Sequence, residues 1–201
     1  MNLFFKDVTW DIIKNAQDAR MVGWILFALF ALFLFWMIYI YNSLVALTND
    51  VKNAFTQIDV QLKRRHDLIP NLVSVVKGYM EYERDTLERV TSARTKALAA
   101  AGIHARAVAE NMLTHALNGL FAVVENYPVL KSSESVLNLQ EELAATENKI
   151  AFSRQLYNDL AANLATKMDI FPNTIIASLF SFQKAEYFTA EETDRRLPPV
   201  D

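Results

Sequence analysis

The chain contains no cysteine, so disulfides, thiolate metal sites and cysteine nucleophiles are excluded together. Glycine and proline are scarce, at 4 and 5 of 201 residues, and no stretch alternates β-branched with polar residues between turn signals. Sheet architectures are therefore not expected, and nearly all of the chain reads as helix. Neither sign of charge dominates: 20 basic and 23 acidic residues are mixed along the sequence for a net charge of −3. Without a basic face, no nucleic acid is expected as a partner. The catalytic signatures Gly-x-Ser-x-Gly, P-loop, Gly-x-Gly-x-x-Gly and His-Glu-x-x-His are missing. His66, His104 and His115 are preceded three positions earlier by Lys63, Ala101 and Met112, so the Glu-x-x-His pair of helical di-iron sites does not occur. Glu81, Glu88, Glu142 and Glu147 fall on predicted helices whose mixed charges read as solvated faces. No enzyme activity, metal site or cofactor is expected.

What the chain does have is MVGWILFALFALFLFWMIYIY, residues 21–41, which carries no charge and follows Arg20. At about 1.5 Å rise per residue this run matches a hydrocarbon core of about 30 Å, where only a helix satisfies all its own backbone groups. It is predicted to span a membrane, with Trp24 at one interface and Trp36, Tyr39 and Tyr41 at the other. Ahead of it, Phe5, Val8, Ile12 and Ala16 recur at helical steps, which suits a leader helix lying in the interface with Trp10 at headgroup depth, an irregular flexible leader being the alternative.

Beyond the run, Leu44, Leu47, Val51, Ala54 or Phe55, Ile58 and Leu62 form one stripe, so a first helix is predicted to end near His66. Asp67 and Pro70 then predict a break and a second helix to about Ala101, with Leu72, Val75, Val76, Tyr79, Tyr82, Thr86, Val90, Ala93 and Ala97 inward. Gly102 stops it. A third helix, about Ala105 to Tyr127, offers two rows, Ala109, Met112, Ala116, Leu120, Val123 and Leu113, Leu117, Phe121, Val124. The fourth, about Ser133 to Met168, repeats Val136, Leu139, Leu143, Thr146, Ile150, Ser153, Tyr157, Leu160 and Leu164 in alternating steps of three and four, the pattern of coiled-coil packing. Thr146 and Ser153 in that seam mark a close approach or a hydrogen bond. A short apolar helix follows Phe171-Pro172 through Phe182. The domain boundaries expected are a leader at 1–20, the spanning helix at 21–41, a helical bundle at 42–186 and a mobile tail at 187–201.

The block IDVQLKRR-x-DLIPNLV (58–73), the wider stretch 41–83, LQEELAATENKIAFSRQLYND (139–159) and Phe171-Pro172 resemble the signature stretches of the bacterial LemA family. The resemblance implies an antiparallel up-and-down four-helix bundle with a short extra C-terminal helix, following an N-terminal transmembrane helix in the bacterial inner membrane. It implies no enzymatic activity and no cofactor, and some members are linked with membrane shaping or envelope stress. It also leans towards a cytoplasmic domain. The lysines and arginine ahead of the span, Lys6, Lys14 and Arg20, outnumber Lys52 just after it and favour a cytoplasmic N-terminus, a count that Lys63, Arg64 and Arg65 would reverse.

Asp59, Lys63, Arg64, Asp67 and Asn71 are the polar residues of the signature block, predicted to straddle the first interhelical turn. With Glu147, Arg154 and Asn158 of the fourth helix they are candidates either for a partner-binding surface or for an ionic network that fixes helix register. Asp59 and Lys63, four apart, are also placed for a local ion pair. Predicted helices of unequal length, with the alanine-rich 97–101 and the apolar 173–182 projecting, point to a domain that meets membrane lipid or copies of itself. The expected function is that of a self-associating homo-oligomeric scaffold; a membrane-anchored adaptor for another membrane protein, such as a peptidase, is the alternative.

Overall fold

The computed structural model describes residues 2–80 and 82–188, with side chains from Arg20 onward. Its helices are α1 (Asn2–Lys77), α2 (Arg84–Ala99), α3 (Ile103–Val124), α4 (Pro128–Lys131), α5 (Glu134–Asp169) and α6 (Asn173–Leu179), and no strand occurs among the described residues. They divide into two compact units. One holds the chain up to Ala46 together with Lys167–Gln183; the other holds Leu47–Thr166 and the chain from Lys184.

The larger unit is the antiparallel four-helix bundle, built from α1 beyond Ala46, α2, α3 and α5 up to Thr166. Side-chain pairs fix the directions. Phe55 meets Tyr157 and Arg64 meets Glu142, so α5 runs against α1. Asp59 meets Arg106 and Arg65 meets Glu110 and Thr114, so α3 runs with α1. The core joins Ile69, Leu72 and Val76 of α1, Val90 and Ala93 of α2, Leu113, Leu117 and Leu120 of α3, and Val136 and Leu143 of α5. Fully burying each of the larger side chains contributes about 1.5–3 kcal/mol. The α5 seam follows the predicted repeat, with Val136, Leu143, Thr146, Ile150, Ser153, Tyr157 and Leu164 buried. The Thr146 hydroxyl donates to the Leu143 carbonyl at 2.8 Å. Between α2 and α3, Gly102 sits at φ +85°, a left-handed conformation that side chains with a Cβ resist.

The break predicted at Asp67–Pro70 does not occur: α1 continues through Pro70 to Lys77. Proline has no N–H to give the carbonyl four residues back, which belongs to His66. Arg94 on α2 supplies the missing donor, its Nε reaching the His66 oxygen at 2.8 Å. The chain turns after Lys77 instead, so the period resets. Tyr79 and Tyr82, expected to face inward, are exposed, Tyr82 at 96%, and Met80 and Leu87 are buried in their place. On α3 the buried side draws on both predicted rows, Ala109 and Leu120 from one and Leu113, Leu117 and Val124 from the other, while Met112 is exposed.

In the smaller unit, residues 20–39 of α1 are exposed apart from half-buried Met37, as a helix awaiting lipid must be. Among the described residues this is the one helix long and apolar enough to cross a membrane. Burial begins at Ile40 and Leu44 and is shared by Met168, Ile176 and Ala177. The Tyr41 ring lies 4.7 Å from that of Phe180 and 5.8 Å from that of Phe182, and Lys167 Nζ donates to Ser43 Oγ. The extra short helix α6 thus belongs to the unit that carries the apolar run. The leader backbone is helical from Asn2, but its side chains, Trp10 among them, and residues 189–201 lie outside the described residues.

Candidate functional site

The bundle encloses charge. From Ile58 onward one buried row of α1 is Ile58, Leu62, Arg65, Ile69, Leu72 and Val76, in steps of four and three, with His66 buried beside it, and Arg65 occupies the phase of an apolar residue. On α3 Glu110 does the same ahead of Leu113, Leu117, Leu120 and Val124. Helical period therefore drives both side chains into the interior, where Arg65 is 3% and Glu110 1% exposed.

Their ionic groups are held from several helices. Arg65 NH1 lies 3.4 Å from Glu110 Oε2 and 2.9 Å from Glu147 Oε2 on α5, and NH2 donates to Thr114 Oγ1 at 2.8 Å. The approach to Glu147 is an ion pair rather than an aligned hydrogen bond. His66 Nε2 lies 2.7 Å from Glu110 Oε1, while its buried Nδ1 has no hydrogen-bond partner among the described residues. Arg154 adds a second guanidinium. Burial pulls its pKa below the usual arginine value, helped by Arg65 and opposed by Glu147 and Glu110. The Arg65 guanidinium thus meets two carboxylates, Glu110 and Glu147. Burying such ions costs several kcal/mol each unless they are paired, so the layer is stable only as a set.

A second polar layer lies nearer the end of the described chain. The Asn158 amide donates to the Phe188 carbonyl at 2.8 Å and accepts from the Phe188 N–H at 2.9 Å. Tyr157 donates its hydroxyl to the Glu186 carbonyl at 2.8 Å. Phe188 is buried against Tyr157 and Phe55, with ring centroids 5.3 and 6.3 Å away, and the Arg154 guanidinium lies 5.8 Å above it. Phe188, assigned by sequence to the tail, is therefore clasped by α5.

The signature residues do not straddle a turn. Because α1 passes Pro70, Asp59, Lys63, Asp67 and Asn71 follow one another at four-residue steps along a single ridge, with Arg64 beside it. Lys63, Arg64, Asp67 and Asn71 are exposed and Asp59 is half-buried. Asp59 takes Arg106 as its partner, rather than the local Lys63, and Arg64 makes a half-exposed pair with Glu142 at 3.6 Å. A cleft of about 210 Å³ borders this ridge and reaches Asp59, Lys63, His66, Arg106 and Glu110. Glu147 joins the ionic layer and Asn158 the clasp, where Arg154 lies over the Phe188 ring. Of the aromatics assigned to the membrane interfaces, Trp24, Trp36, Tyr39 and Tyr41 are exposed. Arg65, His66, Arg94, Arg106, Glu110 and Thr114 are additions to the candidates read from sequence; a charged residue in phase with a buried row is the signal that could have found Arg65 and Glu110. Among the described residues, no three His, Cys, Asp or Glu side chains are placed to hold a metal ion.

An apolar helix continuous with a bundle whose helices are pinned together by buried charge defines a membrane-anchored helical-bundle protein. Residues 54–201 match the LemA family, and the chain belongs to it. It is 27% identical to Protein LemA of Metamycoplasma hominis over 178 residues, covering 85% of this chain and 80% of that protein. It is also 25% identical to magnetosome protein MamQ 2 of Paramagnetospirillum magneticum and 23% identical to magnetosome protein MamQ of Magnetospirillum gryphiswaldense, each over 74% of this chain. The chain spans 64% of the length of those two relatives.

Proposed function

We propose that the protein is a non-enzymatic, single-pass protein of the bacterial inner membrane whose bundle lies on the cytoplasmic side, self-associates and serves as a scaffold for membrane shape or envelope homeostasis. The observation that carries this reading is a pair of apolar side chains one turn apart on the outside of α5, Phe152 at 68% and Leu156 at 40% exposed. A second copy would remove that surface from water at about 25 cal/mol per Å². One contact of this size is weak, but chains anchored in the same membrane meet at a raised effective concentration, so modest contacts add into clusters. Kinship with magnetosome proteins is compatible with such a role. The test is the mass and shape of the full-length protein in mild detergent, by light scattering and electron microscopy. Large assemblies are expected, and the double substitution Phe152→Glu, Leu156→Glu should reduce them to small species; a uniform monomer of the unsubstituted protein overturns the reading.

A second reading is supported by the ridge Asp59, Lys63, Asp67 and Asn71, whose mostly exposed polar groups suit an adaptor for another membrane protein. Charge reversal at Lys63 and Asp67, both on the surface, separates the two. It should abolish capture of a partner by an adaptor and leave the mass of a scaffold unchanged.

A further inference from the structure

We propose that residues 170–182 form a second membrane contact, lying in the interfacial layer of the bilayer beside the spanning helix. From Ile170 to Gln183 the sequence IFPNTIIASLFSFQ carries no charge, between Asp169 and Lys184. The structure turns a large share of its apolar surface outward: Ile170, Phe171, Ile175, Leu179 and Phe180 are all exposed, Phe171 at 76% and Leu179 at 66%. Its inward side is already filled, by Ile176 and Ala177. The outward set is therefore not the cost of making a core.

Three observations point to lipid as what covers it. First, the segment is stacked on the end of the spanning run, with Phe180 and Phe182 against Tyr41. A tyrosine closing an apolar run sits at headgroup depth, so the exposed side chains emerge at that depth as well. Second, polar side chains within the segment turn back on the protein: Asn173 Nδ2 donates to the Lys167 carbonyl at 3.0 Å and Ser178 Oγ to the Ile175 carbonyl at 3.0 Å. That is the arrangement an environment poor in water requires. Third, Lys167, whose ammonium donates to Ser43, marks the side on which charge resumes. Apolar side chains facing one way over a short, uncharged helix are what an interfacial element presents to acyl chains. The inference rests on residues 21–41 being a span and is independent of self-association.

The absence of cysteine makes a direct test clean. Single substitutions Ile175→Cys, Leu179→Cys, Leu32→Cys in the span and Tyr82→Cys on the exposed turn are labelled with an environment-sensitive fluorophore in the full-length chain. The chain is placed in vesicles of phosphatidylethanolamine and phosphatidylglycerol that carry a nitroxide near the headgroup end of the acyl chain. Labels at 175 and 179 are expected to lose most of their emission to the lipid nitroxide, more than the label at 32 in mid-span, and to be shielded, as the label at 32 is, from aqueous iodide, which quenches the label at 82. Iodide quenching at 175 and 179 while 32 stays in lipid overturns the proposal and leaves the span intact. Shielding from both quenchers overturns it in favour of a second protein copy. Iodide quenching at 32 removes the span itself and the inference with it.

Discussion

At the Arg65–Glu110 layer the bundle buries formal charge, whereas at the Asn158–Phe188 layer it buries amides and a phenol. In the first, Arg65 and Glu110 depend on each other, because a buried charge without its partner cannot recover its lost hydration. In the second, each hydrogen bond closes locally between one side chain and one backbone group, so losses stay local. The ionic layer sets helix against helix; the neutral one fastens a segment onto a helix already placed. Arg154 serves the second, its guanidinium 5.8 Å from the centre of the Phe188 ring.

The largest effect should come from the ionic layer. Glu110→Ala leaves Arg65 and His66 without their shared carboxylate, and a loss of about 3–5 kcal/mol is expected by denaturant titration of the detergent-solubilised protein. A loss under about 1 kcal/mol would mean that water reaches these groups, and the contrast between the layers would fall. Arg94→Ala should cost about 1–3 kcal/mol, because it orphans the His66 carbonyl. In a Pro70→Ala background the helix provides its own N–H, and the same arginine substitution should then cost little; a full cost in both backgrounds would assign Arg94 some other task.

Within the neutral layer the expected effect is smaller. Tyr157→Phe removes the hydrogen bond to Glu186, worth about 1 kcal/mol at neutral pH. The same position also carries a pH signature. Burial, aided by the Glu186 charge, raises the Tyr157 pKa above the ordinary phenol value, so folding favours the protonated form. That contribution is complete below the unfolded-state phenol pKa of about 10 and is lost as pH rises from there through the folded value. Stability of the unsubstituted protein should therefore fall more steeply at alkaline pH than that of the phenylalanine variant.

Where one helix carries all of the information, the sequence was readable. The uncharged run 21–41 and the three-four repeat from Val136 to Leu164 both needed only local spacing, and both appear in the structure as expected. Pro70 reads as a break because the donor that remedies it, Arg94, lies 28 residues beyond His66 on another helix, in a side chain with no distinguishing neighbourhood. Glu110 is hard to find because charge normally belongs to the surface, although its phase with Leu113 and Leu117 places it inside. Phe188 lacks periodicity, so nothing local indicated that Asn158 would hold its backbone.

The guanidinium that completes α1 at Pro70 also has a consequence for the order of assembly. An isolated segment of α1 has no donor for the His66 carbonyl and should fray or bend there, so its continuity is conferred by α2 rather than inherited from its own sequence. During synthesis Pro70 leaves the ribosome before Arg94. The long stretch ahead of Pro70 and the short stretch behind it would then exist as two helices until α2 docks and welds them into one.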